Sequence, residues 1–188
     1  MNSRMMRSAG GQAAIRFTTV CALMALMLSA CSGGTGSGIV EGRGGSTRAV
    51  PGNALLMQVR AAGTVGNELD VQPLRDPQVE DLRATATKAE NAGDYAGAQR
   101  ALAQALVLSP DDPDLLQWQA EMSLASRDWA KALQYANRSF ERGPKLGGLC
   151  RRNWMTIRLA SDAKGDPAAA AQAQLRVASC IVAPPTRM

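Results

Sequence analysis

The sequence has no histidine, and only 4 % of its residues are aromatic. Without an imidazole the chain cannot use histidine as a general base or a zinc ligand, which excludes the Ser-His-Asp and Cys-His classes of hydrolase. Carboxylates are present, but no pair has a spacing that distinguishes it from ordinary helix surface charge. We therefore expect a protein that is not an enzyme, with no catalytic residue, no cofactor and no metal site.

Acidic residues are absent from the first thirty positions, where three of the 21 basic residues lie: Arg4, Arg7 and Arg16. If this segment is removed, 18 basic residues remain against 16 acidic ones, a net charge of +2. A charge so close to neutral supplies no concentrated basic face, and nucleic acid is therefore not expected as a partner.

Residues 1–30 have the order of a secretory signal, with arginines first, an apolar run of fourteen residues next and small residues last. The run is shorter than the roughly 20 residues of a bilayer span. Its end, Leu28-Ser29-Ala30-Cys31, resembles the lipobox of bacterial lipoproteins. That resemblance implies removal of residues 1–30 and acylation of Cys31, and Ser32 implies sorting to the outer membrane, facing the periplasm. The alternative is a plain secreted protein cut after Ala30.

Glycine is dense in residues 32–52, and no apolar period is present there. Such a stretch cannot bury enough surface to offset the entropy lost on ordering. Residues 31–77 are therefore predicted to be a lipidated tether and linker. Within them, residues 54–60 are apolar enough for a short strand or a helical turn, and their packing on the rest of the chain stays open. Residues 183–188 are predicted to be a disordered tail.

Residues 78–182 show a helical apolar period and self-similarity at 34 residues. Tyr95 and Trp129 are 34 residues apart, as are Pro110 and Pro144, and a third, more degenerate unit follows after a displacement of four residues. This pattern resembles the tetratricopeptide (TPR) repeat family over about 100 residues. The resemblance implies an all-α fold, a short helical-hairpin solenoid of about three repeats. A bundle without repeats is the alternative.

Tetratricopeptide arrays hold a peptide or a partner helix on the face lined by the first helix of each hairpin. By position, the resemblance assigns this partner-binding groove to Arg83, Thr87, Gln117, Trp118, Glu121, Arg152 and Met155. For each of them a solvated helix surface is the alternative, and Trp118 is open to a second interpretation as a contact between helices.

Cys150 and Cys180 lie at the two ends of the third helical hairpin. Because the helices of a hairpin are antiparallel, these ends are neighbours, and an oxidising compartment would join the thiols in a disulfide. Two buried free thiols are the alternative.

A basic cluster surrounds the junction of the second and third units, formed by Arg138, Arg142, Lys145, Arg151 and Arg152. Arginines can bind carboxylates or phosphates in a bidentate manner. The alternative is a set of cations that interact with helix C-termini or with solvent.

These observations together favour a noncatalytic scaffold, held at the outer membrane by its lipid anchor. It would bind envelope proteins or peptides through the groove, either to recruit cell-wall enzymes or to assemble secretins or pili. A binding module for anionic cell-wall or lipid groups, using the basic cluster, is the alternative. Because no capping helix follows the third unit, a homodimer is also among the expected states.

Overall fold

Helices make up most of the chain that the computed structural model describes, which comprises residues 50–66 and 74–181. In chain order they are α1 (Gly52–Gly63), α2 (Pro77–Asn91), α3 (Tyr95–Leu108), α4 (Pro113–Ala125), α5 (Trp129–Arg142), α6 (Gly147–Ala163) and α7 (Pro167–Ser179). None of the described residues is in a strand, so the all-α prediction is confirmed. The predicted signal, Cys31 and the predicted tail lie outside the described residues.

Aspartate side chains set the start of five of these helices. Each carboxylate accepts a hydrogen bond from a main-chain N–H two or three residues further on, which satisfies a donor that the first turn leaves free. The five residues are Asp76, Asp94, Asp112, Asp128 and Asp166. Helices α1 and α6 begin without a side-chain cap.

The helices pair as three hairpins, α2 with α3, α4 with α5, and α6 with α7. One residue in each hairpin turn has a left-handed backbone: Gly93 at φ 75°, Arg127 at φ 63° and Gly165 at φ 78°. The first two are 34 residues apart, and the third is displaced by four residues, as the sequence pattern predicts. The expected solenoid of about three helical hairpins is confirmed.

Small residues on the second helix of each hairpin allow close helix packing. Ala98, Ala101, Leu102 and Ala105 of α3 are buried against α2 and α4. Ala132 and Ala136 occupy the corresponding face of α5, and α7 likewise buries only alanines along its length. A core of alanines lets helix axes approach, which explains how a chain poor in aromatic residues forms a continuous core.

A disulfide closes the C-terminal end of the array. Cys150 and Cys180 are bonded, with their Cα atoms 5.7 Å apart, and the N–H of Gly147 donates to the carbonyl of Cys180 at 2.7 Å. The predicted pairing is therefore confirmed, and the last hairpin is covalently closed.

Helix α1 lies within the segment for which the sequence predicts a linker. One side of it, carrying Leu55, Leu56, Val59 and Ala62, is buried against α4 and α6. The folded part of the chain thus begins at Gly52 and not at residue 78. An apolar run this short does not by itself distinguish a buried helix from a strand or a linker, which is why its packing could not be read from the sequence.

Candidate functional site

The first helices of the three hairpins, α2, α4 and α6, form the surface that we call the groove face. Helix α1 occupies it. Leu55 and Val59 share an apolar cluster with Leu124 and Leu159, on α4 and α6. Leu56 belongs to a second cluster, which contains residues of α2, α3 and α4. The surface that the sequence assigns to a partner protein therefore already holds a helix of the same chain.

Glu121 is the polar centre of the groove face, and its side chain is fully buried. Its Oε1 atom accepts from Arg152 Nε at 2.8 Å and lies 2.6 Å from Arg152 Nη2. Gln117 Nε2 donates to the same oxygen at 3.1 Å, and Arg60 Nε donates to Oε2 at 3.1 Å. A buried carboxylate is tolerated only with such a full set of charged and polar partners.

Arg60 links α1 to two other helices at once. Its Nη1 lies 2.6 Å from Glu90 Oε1 on α2, and its Nε contacts Glu121 on α4. Burial alone lowers the pKa of Arg60, but the hydrogen bond with Glu90 and the charges of Glu121 and Glu90 outweigh it and raise that pKa above its ordinary value. Arg60 is therefore a permanent cation between two carboxylates.

Arg151 holds the C-terminal end of α1. Its side chain is buried, with 1 % of the residue exposed, and donates from Nε to the carbonyl of Ala62 at 2.9 Å and from Nη2 to that of Gly63 at 3.1 Å. The last carbonyls of a helix have no partner within the helix and carry its negative dipole end. A buried guanidinium at this point supplies both hydrogen bonds and opposite charge.

The structure brings together most of the predicted groove residues. Gln117, Glu121 and Arg152 form the polar network described above, and Met155 packs on the cluster of Leu55 and Val59. Trp118 donates from Nε1 to Glu90 Oε2 at 2.7 Å, which makes it a contact between helices.

The remaining two predicted groove residues lie on α2. Arg83 stacks over the Trp118 ring at 5.3 Å. Thr87 is exposed and donates only to a carbonyl of its own helix. Of the predicted set, Thr87 is thus the residue for which the solvated alternative fits the contacts.

The predicted basic cluster is divided between separate tasks. Arg151 and Arg152 serve α1 and Glu121. Arg138 and Arg142 both face Asp111, with nitrogen-oxygen distances of 3.4 and 3.3 Å. Lys145 donates to main-chain carbonyls of α5 and lies 4.4 Å from the centre of the Phe140 ring. The structure therefore does not assemble these five side chains into one open anion site.

Arg60 and Glu90 are central to the site and are missed by the sequence interpretation. The signal for Arg60 was its position beside Leu56 and Val59 at helical spacing, in a segment interpreted as a linker. Glu90 has no such signal, because a glutamate near a helix end is ordinary surface charge unless a neighbouring helix is known.

The outer side of α1 borders a shallow pocket of about 400 Å³. Met57, 70 % exposed, lies on its wall together with Tyr95 and the Arg60–Glu90 pair. Within residues 50–66 and 74–181, no group of three side chains is arranged to hold a metal ion. Across the same residues, every helix is too short or too polar to traverse a bilayer.

The chain is similar in structure and sequence to the globular C-terminal domain of P. aeruginosa LpoP. The two share 30 % sequence identity over 56 % of this chain and 99 % of that domain, with a TM-score of 0.53. The chain belongs to the same family as that domain. No family model matches it, and no curated protein matches it. The whole LpoP domain thus has a counterpart here, which agrees with the array of helical hairpins.

Proposed function

We propose that the protein is a noncatalytic adaptor of the bacterial envelope that binds a cell-wall enzyme. The observation that carries this proposal is the helix in the groove face. The array holds α1 through apolar anchors and matched charges, which are the interactions of a protein-binding surface. Its buried carboxylate, Glu121, is fully engaged by Arg60, Arg152 and Gln117 and has no proton-transfer role.

The proposal places the protein at the outer membrane, facing the periplasm, with Cys31 as the lipid anchor. Val50, the first described residue, is nineteen residues after Cys31. A fully extended chain spans at most about 3.6 Å per residue, so the domain would lie within about 70 Å of its anchor. A partner would have to come within that reach, as an enzyme working on the cell wall beside the membrane can.

Binding of anionic cell-wall or lipid groups has no observation in its favour. The arginines proposed for it are engaged by Asp111, by Glu121 and by the carbonyls at the end of α1. We therefore do not propose it as a second function.

The proposal is tested by crosslinking in the native envelope, followed by pull-down of the protein and mass spectrometry of what is retained. We expect a cell-wall enzyme to be enriched with the wild-type chain and depleted with Cys31→Ala. Labelling with a palmitate analogue should mark the wild type and leave the Cys31→Ala protein unmarked. Enrichment of secretin or pilus components would replace the enzyme as the partner, and retention of glycan or lipid alone would contradict the adaptor role.

A further inference from the structure

Helix α1 is attached to the array in a different way from the helices that follow it. Thirteen residues, 64–76, separate it from α2, whereas the later connections are three or four residues long. It has no side-chain N-cap and no acidic residue in its first turn. A helix of 12 residues with these features is marginal on its own in water, so its groove contacts must hold it in place.

The contacts that hold α1 are those of a ligand on a receptor. Four apolar residues on one side enter the groove face, and a single cation, Arg60, reaches two carboxylates while 44 % of its side chain stays exposed. The array supplies the complementary groups: a fully buried acid, Glu121, and a buried guanidinium, Arg151, directed at the helix end.

We infer that the groove face is a receptor for an amphipathic helix of a partner protein and that α1 is its exchangeable resident. This inference rests on the proposed adaptor function and adds the class of partner. The partner helix would carry two adjacent apolar residues, a third apolar residue four positions after the first, and an arginine immediately after that. In α1 these are Leu55, Leu56, Val59 and Arg60. The helix would end about one turn later.

Charge complementarity decides this class of partner. Glu121 is fully buried and Glu90 lies beside it on α2, so the occupant must bring a cation to the position of Arg60. An acidic residue there would face two carboxylates at close range. Arg151 requires main-chain carbonyls, which only the C-terminal end of a helix presents together. A strand or an extended peptide cannot satisfy both requirements.

Competition with α1 sets the affinity of such a partner. A site that is open only part of the time binds its ligand more weakly, in proportion to the open fraction. The linked α1 is present at high effective concentration, so the wild-type groove face should bind an added helix weakly. Removing α1 from the groove should strengthen binding.

The test uses a fluorescent peptide of residues 50–66 as the probe and three full-length proteins: wild type, Val59→Asp and Met57→Asp. Val59 is fully buried, so aspartate there should expel α1. Met57 is its matched control, because it lies on the same helix but is 70 % exposed. We expect the peptide to bind Val59→Asp about tenfold or more tightly than the other two proteins. A peptide with Arg60→Glu should fail to bind.

If Val59→Asp keeps its helical circular dichroism and its disulfide but does not bind the wild-type peptide, the inference is wrong. Equal binding of the Arg60→Glu peptide would also overturn it, since charge complementarity would then play no part.

Hydrogen-deuterium exchange on the wild-type protein supplies a second test that needs no variant. We expect amides of α1 to exchange about tenfold or more quickly than those of α4, because α1 opens without the array. If both helices exchange only through global unfolding, α1 is a fixed part of the core and the inference fails. A positive outcome here, together with no enzyme in the pull-down, would contradict the proposed function and leave the receptor for a helix standing.

Discussion

Helices α1 and α7, at the two ends of the described array, have similar lengths, 12 and 13 residues, but are held by different chemistry. Along its length α7 buries only Ala170 and Ala173, and the disulfide at Cys180 joins its end to α6. Helix α1 buries more apolar surface and has no covalent attachment to the groove face. One end of the array is thus permanently closed and the other is closed by contacts that can be exchanged.

This difference fits the two tasks that an adaptor must combine. A disulfide persists in an oxidising compartment and keeps the last hairpin intact. Ion pairs that reach the surface, such as the one between Arg60 and Glu90, contribute little individually and can be replaced by other charges. The array can therefore stay folded while the occupant of its groove changes.

The largest expected effect comes from removing the covalent closure. In the double variant Cys150→Ser, Cys180→Ser, the chain loses a link across 30 residues. The chain-entropy relation gives a loss of about 3 to 4 kcal/mol in the free energy of unfolding. Thermal unfolding should show a Tm about 10 °C or more below that of wild type. The matched control is reductant, which should lower the Tm of the wild type and leave the double variant unchanged; equal Tm values for the two proteins would contradict the prediction.

The closed end was accessible from the sequence because local signals there have a single meaning. Cysteines at the two ends of one hairpin must be neighbours once the hairpin forms, and the repeat spacing fixes the hairpin. The turns are equally informative, since Gly93, Arg127 and Gly165 take the left-handed backbone at the repeat spacing.

The exchangeable end was not accessible in the same way. Glu121 and Gln117 read as polar residues on a groove, and this pattern is the same whether water, a partner or the chain's own helix covers them. Only the packing of α1 shows that they are buried. The predicted basic cluster failed to assemble for a related reason, because Arg151 and Arg152 are near neighbours of acids and carbonyls that are distant in sequence.

The second largest effect concerns the polar centre that holds α1. Glu121→Gln keeps the shape of the side chain but removes the charge that Arg60 and Arg152 share. Removing one partner of a fully buried ion pair costs about 3 to 5 kcal/mol. Because both arginines are partly exposed, we expect about 2 to 3 kcal/mol, measured by urea unfolding. Exposed Glu141→Gln is the matched control and should change stability by less than about 0.5 kcal/mol. A Glu121→Gln protein as stable as this control would show that the network does not hold α1.

A smaller effect should be confined to α1 itself. Val59→Ala removes two methyl groups from a fully buried site, at a cost of about 1 to 2 kcal/mol. Since α1 opens separately, amide exchange in α1 should accelerate about tenfold while exchange in α6 and α7 changes little. Met57→Ala, at an exposed site on the same helix, should leave both rates unchanged. Uniform acceleration across all helices would mean that α1 is an integral part of the core.

The smallest effect tests the cap that α7 has and α1 lacks. Asp166 accepts a hydrogen bond from the N–H of Ala169 at 2.9 Å, which satisfies a free donor in the first turn of α7. Asp166→Ala should cost about 1 kcal/mol, and thermal unfolding should show a Tm lower by about 3 to 5 °C. Asp166→Asn is the matched control, because asparagine caps about as well as aspartate and should preserve the Tm. If both variants lose stability equally, the charge of Asp166 and not its cap stabilises α7. If neither does, the disulfide alone holds this helix, and the chemical difference between the two ends is larger than the caps suggest.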